Sequence, residues 1–476
     1  MFDVIVVGGG VIGGAVLREL TKYRLSVCLV EKADDVCMGQ SKANSGIVHA
    51  GFDAATGSLK AKFNVLGNRM MPAYTAELGV KYEQNGSLVL AFSEEEKKTL
   101  EALKKRGEEN GVPDLRIIDR AELKAKEPNV SENAVAALYA PTGGIVCPYG
   151  LTIAEIGNAM DNGAELFTNF EVVEIEKRDG GFAVRSADGR TLETKLVINC
   201  AGLGSGKIAA LAGDQSVQIG ARKGEYILLD RESGDFVSHT MFCTPTEKGK
   251  GILVTPTADK NVLLGPTSEE QENGCTDTTA SGLSFVIEKA KTMMNGIPLY
   301  NTITSFAGVR AYCSKHDFIV EESDAVKGLI NCCGVESPGL TSAPAIGKYV
   351  VEEIVCNLLK PEKNEKFCGK READYFFKDL SVEEKNELIR KDPAYGKIIC
   401  RCEQITEGEI VRAIRDNPPA KNIDAVKRRT RAGMGRCQGG FCQPQVAEIL
   451  ARELNSPLEE ITKNGRGSEI VVGVSK

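Results

Sequence analysis

The stretch FDVIVVGGGVIGG, residues 2–14, limits the fold more than any other part of the chain. Residues 3–7, DVIVV, read as a buried strand, VIGGAVLRELTKY as the helix after the glycines, and SVCLVEK as a second strand closing at Glu31. Gly8, Gly10 and Gly13 form G-x-G-x-x-G at the turn from strand to helix. Glycines there permit a tight turn and bring a pyrophosphate close to the helix N-terminus, and an acidic side chain ending the second strand can accept hydrogen bonds from a ribose. A dinucleotide is the expected ligand, with FAD and NAD both open. The later GLGSGKIAALAG lacks the required glycine spacing, so one dinucleotide site is expected.

At 476 residues the chain has room for about three domains. With 42% hydrophobic and 26% charged residues it reads as a globular protein rather than a disordered one. A net charge of −7 gives no electrostatic reason to expect nucleic acid. No apolar run approaches the ~20 residues a membrane helix needs, and residues 4–13 read as strand and glycine turn rather than a signal peptide. Fifteen cysteines, odd in number and without a disulfide framework, fit a reducing compartment. A cytoplasmic location is expected.

Region 80–145 mixes short strands (GSLVLAF) with a charged helix, as an inserted or second unit lying like a lid over the first. Residues 171–202 read as a β-meander returning to a buried strand that ends in glycine. Residues 217–320 alternate strands and turns around one helix near 279–294, and GLINCCGVESPGLTSAPAIGKYVVEEIVCNLL gives strand, glycine turn and long helix again. Capping-box spacings at Ser381/Glu384, Thr406/Glu409 and Ser456/Glu459 predict three helix starts in the last quarter.

His49 is one of only three histidines and sits among Ser41, Asn44, Ser45, Gly46 and Gly51, small and polar neighbours unsuited to a packed core. Its side chain is the one best suited to proton transfer near neutral pH. Near the C-terminus, Cys400 and Cys402 form C-x-C, and after thirty-four residues Cys437 and Cys442 form C-x-x-x-x-C. Four thiolates bind either zinc or an iron–sulfur cluster. Lys427, Arg428, Arg429, Arg431 and Arg436 make a basic run beside them, suited to offsetting cluster charge, to docking an acidic partner, or to a plain solvated helix face.

GGGVIGG, Glu31, NSGIVHAG, VINCAGLGS, FAGVRAY and GVESPGLTSAPAIG together resemble the D-amino-acid-oxidase-like superfamily of FAD enzymes over residues 1–360. Within it they look like the glycerol-3-phosphate dehydrogenase and oxidase branch, close also to L-2-hydroxyglutarate oxidases. The resemblance implies FAD at Gly8, Gly10, Ile12, Gly13, Glu31 and Lys32 on its ADP half, with Val172, Ala201 and Gly202 nearby. Ser41, Asn44, Ser45 and Gly46 would line the flavin, and Gly334, Gly339, Leu340 and Thr341 would face its pyrimidine edge. It implies His49 as the base taking the hydroxyl proton and Arg310 as the clamp on the substrate anion, since a guanidinium fork matches phosphate or carboxylate. Ser45, Lys248, Lys250 and Ser337 are further substrate-binding candidates. RRTRAGMGRCQGGFC with the C-x-C start resembles the bacterioferritin-associated-ferredoxin-like domain, which implies a 2Fe-2S cluster on Cys400, Cys402, Cys437 and Cys442.

The expected fold is α/β (α+β): a discontinuous Rossmann-like FAD-binding domain (1–80, 146–215 and 321–360), an interleaved β-sheet substrate domain (81–145 and 216–320), a connector (361–395) and a small helical iron–sulfur domain (396–476). A flavin and a one-electron cluster on one chain imply a relay, and so a dehydrogenase rather than an oxidase. The resemblance implies oxidation of sn-glycerol 3-phosphate to dihydroxyacetone phosphate. It also implies a second flavoprotein and a small iron–sulfur protein as electron acceptors, through which the chain would meet a membrane peripherally. A 2-hydroxy acid or amino acid dehydrogenase is the alternative, and an electron-transfer subunit without a substrate of its own is the second.

Overall fold

The computed structural model describes residues 1–245, 251–272, 274–372 and 376–473. Its first strand, Phe2–Val7, lies parallel between Val27–Val30 and Thr191–Asn199 in an eight-stranded sheet. The expected meander is present: Val172–Arg178 and Gly181–Ser186 run antiparallel to each other and lead into Thr191–Asn199. Leu329–Cys333 adds in parallel to the second half of Thr191–Asn199, with Ile319–Glu322 beyond it. Strands buried on both faces need apolar side chains on both, which is why Val4, Ile5, Val6 and Val7 form an unbroken run. The helices Val11–Leu20, Pro148–Asp161 and Gly339–Tyr349 cover one face through Val16, Leu20, Ile156 and Ile346.

A second sheet of nine strands is built from two separated parts of the chain. Ser87–Ala91, Arg116–Asp119 and Ala136–Ala140 enter it beside Thr240–Cys243, so region 80–145 is part of this sheet rather than a lid over the first. Its longest pairing joins Ile219–Leu229 to Thr302–Cys313, antiparallel, and helix Ala280–Met293 packs against it. A small three-stranded sheet, Ile47–Val48 with Gly144–Val146 and Tyr82–Glu83, links the segment holding His49 to this half.

The C-terminal unit has its own core of Ile405, Ile410, Val426, Val446 and Leu450 under the helices Glu407–Arg415, Ile423–Thr430 and Gln443–Leu454. The capping boxes at Ser381/Glu384 and Thr406/Glu409 form. The one expected at Ser456/Glu459 does not: Pro457 stays extended, only the short turn Leu458–Glu460 follows, and Ser456 Oγ donates to Glu460 instead, at 2.7 Å.

The basic run also departs from expectation. Arg428, Arg429 and Arg431 are neither a solvated face nor a docking patch. Their side chains are buried and paired with carboxylates from the rest of the chain, Asp35 and Asp259, and with Glu403. Only Arg436 fits the surface reading, half-exposed and paired with Glu232 at 2.6 Å. The spacing of the arginines is helical, but which face meets protein is decided by how the unit docks.

Candidate active site

Between the two sheets lies a cavity of about 900 Å³ that runs from Val11, at the start of the glycine helix, to Leu340, at the start of the helix Gly339–Tyr349. Both helices begin without a side-chain cap of their own. The positive end of each helix dipole makes its end of the cavity favourable to negative charge.

The end of the cavity at the glycine turn is shaped by close backbone approach. Gly8 has φ +112°, and a Cβ there would lie 2.5 Å from Cys200 O; a Cβ on Gly13 would lie 2.0 Å from Gly8 O. Ala201 and Gly202 follow Cys200 and so stand beside this turn. Glu31 accepts from the amides of Gly9 at 2.7 Å and Ala33 at 2.9 Å, which orients its carboxylate beside the turn. Ile12 is buried in the helix, Lys32 is exposed, and Val172 is buried at the start of its strand. Ser41 Oγ accepts from Val11 N at 3.0 Å, tying the segment after the second strand back to the glycine helix.

Ser41, Asn44, Ser45, His49, Arg310, Ser337, Gly339 and Leu340 all line the cavity. Asn44 braces its own turn, donating to Gln40 O and Ser41 O while accepting from Gly46 N at 2.8 Å. Thr341 stands just behind: its Oγ1 accepts from His49 N at 2.9 Å. The carbonyl of His49 accepts from Asn64 and Asn68. The ring lies near-parallel to Phe242, 5.9 Å between centroids, and Nε2 is 3.3 Å from Ser337 Oγ. An imidazole so held has one nitrogen aimed at the same space as the serine. Gly334, at φ +64°, turns the chain from its strand into the loop 335–338 that lines the cavity.

Arg310 donates to Thr267 O at 3.1 Å, while its Nε is buried without a hydrogen-bond partner among the described residues. Among the described residues it pairs with no carboxylate. Arg222 lies directly opposite it on the neighbouring strand and also lines the cavity. Like charges facing each other across a sheet are destabilising. Arg222 is partly offset by Glu270 at 3.3 Å and Glu336 at 3.9 Å, and Glu336 also receives Lys60 at 2.9 Å. Sequence reasoning missed Arg222, Lys60 and Phe242, because only strand register and packing bring them to His49 and Arg310. Gln40 was missed too. It accepts from Ala311 N and donates to Val335 O, both at 2.9 Å, stitching three cavity segments together. Lys248 and Lys250 lie outside the described residues.

The four C-terminal cysteines come together as two pairs, Cys400 with Cys442 and Cys402 with Cys437, each within hydrogen-bonding reach. The Cys442 thiol and the amides of Gly433 and Glu403 pull the Cys400 thiol down to about 6, against burial. Burial raises Cys437, but the amides of Phe441 and Gly439 and the Cys402 thiol outweigh it, so that thiol is lowered too. Among the described residues no three His, Cys, Asp or Glu side chains converge as on a single metal ion. Two pairs of thiols ringed by backbone N–H groups suit a two-iron cluster, which takes two thiolates at each iron.

The family profile described as FAD dependent oxidoreductase matches residues 3–353. The chain belongs to this family. A second profile, the BFD-like [2Fe-2S] binding domain, matches residues 398–452 of the oxidoreductase. It is 49% identical over 477 residues to a glycerol 3-phosphate dehydrogenase of Caloramator mitchellensis, covering 100% of this chain and 99% of that one. It is 33% identical over 281 residues to the human mitochondrial L-2-hydroxyglutarate dehydrogenase, covering 56% and 60%. Among solved structures it resembles the dithionite-reduced L-α-glycerophosphate oxidase of Mycoplasma pneumoniae with FAD bound, at TM-score 0.74 and 31% identity, covering 78% and 98%. The oxidoreductase thus uses FAD and carries a 2Fe-2S domain. The tight glycine turn, whose Gly8 and Gly13 have no room for a side chain against the surrounding backbone, and the cavity between two helix starts fit the dinucleotide. No helix among the described residues is long and apolar enough to cross a membrane.

Proposed function

We propose that the enzyme oxidises sn-glycerol 3-phosphate to dihydroxyacetone phosphate and passes the electrons through its cluster to a partner. The observation that carries this reading is the pair Arg222 and Arg310, cross-strand neighbours that both line one cavity, with Arg310 Nε buried and without a hydrogen-bond partner among the described residues. A phosphate dianion between them would relieve the repulsion and satisfy the Nε, which a neutral ligand would not. The similarity to a glycerol 3-phosphate dehydrogenase over the whole chain supports the same substrate.

In this reading Arg310 and Arg222 hold the phosphate and set the distance to the secondary alcohol. His49 Nε2 accepts the hydroxyl proton, and Ser337 Oγ beside it orients that hydroxyl. Thr341, Asn64 and Asn68 hold the His49 backbone, and Phe242 holds its ring. Tyr226 and Phe242, both buried, exclude water from the reacting carbon. FAD held by Gly8, Gly10, Gly13, Glu31 and the 41–46 turn supplies the two-electron acceptor for the hydride. The cluster, held by Cys400, Cys402, Cys437 and Cys442, supplies a one-electron exit. The proton, by contrast, leaves through His49.

Lys248 and Lys250 are further candidates for the phosphate on resemblance alone. The division into FAD-binding, substrate-binding, connector and cluster domains is our reading too, supported by the separate sheets and cores. A second flavoprotein and a small iron–sulfur protein are the proposed acceptors, with a cytoplasmic location. The two arginines also favour a second reading, a 2-hydroxy acid such as L-2-hydroxyglutarate, which the human relative's name matches. Pure electron transfer would need neither His49 nor Arg310.

Anaerobic mixing with glycerol 3-phosphate, L-2-hydroxyglutarate, lactate and amino acids separates these readings. Bleaching of the flavin by glycerol 3-phosphate, with one dihydroxyacetone phosphate formed per flavin, is the expected result. Faster bleaching by a hydroxy acid overturns it in favour of the second reading, and no bleaching by any of them favours an electron-transfer subunit.

A further inference from the structure

The cluster-bearing unit meets the rest of the molecule through buried charge. Asp35 is the focus: Arg428 donates to its Oδ2 at 2.5 Å, and Arg429 places one nitrogen on Oδ2 at 2.9 Å and another on Oδ1 at 2.8 Å. The three side chains are 5–7% exposed. Asp35 lies in the segment between Glu31 and Ser41, and the neighbouring Cys37 amide fastens that segment to the glycine turn by donating to Gly9 O at 2.8 Å. The same stretch of chain therefore borders the FAD cradle on one side and carries the docked unit on the other.

The helix that brings the arginines, Ile423–Thr430, is gripped along its length. At its start Asn422 accepts from Ala425 N at 2.7 Å and donates to Asp34. At its end Arg431, with φ +70°, donates to Glu403 at 3.0 Å, Asp259 at 2.7 Å and Asn261 at 3.0 Å. Glu403 follows the ligand candidate Cys402, whose carbonyl accepts from Arg231 at 2.9 Å. Buried ion pairs add little net stability compared with apolar packing, but breaking one partner is costly, and such pairs suit the holding of one geometry over others.

We propose that Asp35 is a positioning residue: by receiving Arg428 and Arg429 it holds the iron–sulfur unit and the flavin-side segment 31–46 in one relation, and so sets the rate at which electrons pass from flavin to cluster. The proposal rests on the relay reading above. Oxidation of the secondary alcohol releases two electrons, which leave the flavin singly, each reducing the cluster by one electron that the partner then removes. Electron transfer falls steeply with separation, so a rigid mount serves it where a loose tether would not. Nothing in the proton or hydride step requires Asp35.

The test uses the full chain with FAD and cluster bound. Asp35→Asn keeps the shape and removes the charge, and Arg436→Gln removes an exposed pair as control. On anaerobic rapid mixing with sn-glycerol 3-phosphate, flavin bleaching should stay within twofold of wild type in both. Cluster reduction, followed by its visible and paramagnetic signals, should slow at least tenfold in Asp35→Asn and not in Arg436→Gln. Amide exchange over Ile423–Thr430 should rise at least tenfold in Asp35→Asn. Cluster reduction within twofold of wild type in an Asp35→Asn protein holding its FAD and iron overturns the proposal. If that variant loses iron on purification, Arg429→Lys carries the test, with a smaller slowing expected and unchanged cluster reduction overturning it. If the wild-type flavin bleaches but its cluster is never reduced, the relay reading fails, and unchanged amide exchange in Asp35→Asn would then overturn the clamp on its own.

Discussion

His49 Nε2 lies 3.3 Å from Ser337 Oγ, although 288 positions separate the two in the chain. The histidine comes from the segment after the second strand, the serine from the loop before the helix Gly339–Tyr349, and Thr341 at that helix binds the His49 amide. An imidazole nitrogen and a hydroxyl thereby meet at the cavity wall. Replacing His49 by Ala should slow anaerobic flavin reduction by about 10²–10⁴-fold, with little change in substrate affinity. Ser337→Ala should cost far less. Rapid-mixing spectra over a substrate titration separate rate from affinity, and wild-type reduction rates in the His49 variant would remove it from the mechanism.

Arg310→Ala should act mainly on binding. A charge-assisted pair lost from a buried anion costs about 2–5 kcal/mol, a rise in the substrate dissociation constant of roughly 30-fold or more. Arg222→Ala should weaken glycerol 3-phosphate more than it weakens lactate, because the second guanidinium matters most to a dianion. Equal loss for both substrates would argue against a shared phosphate site.

Gly13→Ala tests the cradle. Its Cβ would stand 2.0 Å from Gly8 O, inside contact distance, so the helix must back away from the first strand. Overpacking of this kind costs about 1–3 kcal/mol. The expected protein is folded, lower melting and colourless, and a fully yellow Gly13→Ala enzyme would contradict the placement of the pyrophosphate.

Cys437→Ser removes one thiolate of the quartet, and the harder oxygen holds iron less well. Iron and acid-labile sulfide should fall, while glycerol 3-phosphate still bleaches the flavin and turnover with the native acceptor drops. Limited proteolysis that leaves the flavin half intact controls for misfolding of a unit whose folding draws on metal binding. Zinc without sulfide in wild type, or normal acceptor turnover in an iron-free variant, would refute the relay.

The Asp35 clamp carries a pH signature. Burial raises the carboxyl, but Arg429 and Arg428 outweigh it and bring the group from 3.8 down to about 2. A group whose folded value is depressed contributes stability that is fully present above its unfolded value and lost as pH falls through the folded one. The contribution, about 2 kcal/mol, should therefore hold at neutral pH and fade between roughly pH 4 and pH 2. Acid unfolding of wild type and Asp35→Asn, followed by amide exchange in the C-terminal unit, should show the two converging towards pH 2. A difference that stayed constant down to pH 2 would exclude this carboxylate as its source.

Much of the candidate site was legible in the sequence because its signals are local. A glycine turn between an apolar strand and a helix is set by backbone sterics and by the period of the apolar residues, and both can be read within 30 positions. The capping boxes at Ser381 and Thr406 form for the same reason, since their partners sit three residues away. The box at Ser456 does not form, because Pro457 keeps an extended ψ and the Ser456 hydroxyl is bonded to Glu460 instead.

The sequence by itself determined the dinucleotide cradle, the four thiols and the candidate base, because each depends on residue type and short spacing. The tertiary structure alone decided that Arg222 faces Arg310, that Phe242 flanks His49, and that Arg428 and Arg429 close on Asp35 instead of facing water. Those relations depend on strand register and on which surface of a helix is covered when two units dock, and residues far apart in the chain bring them about through burial and charge pairing.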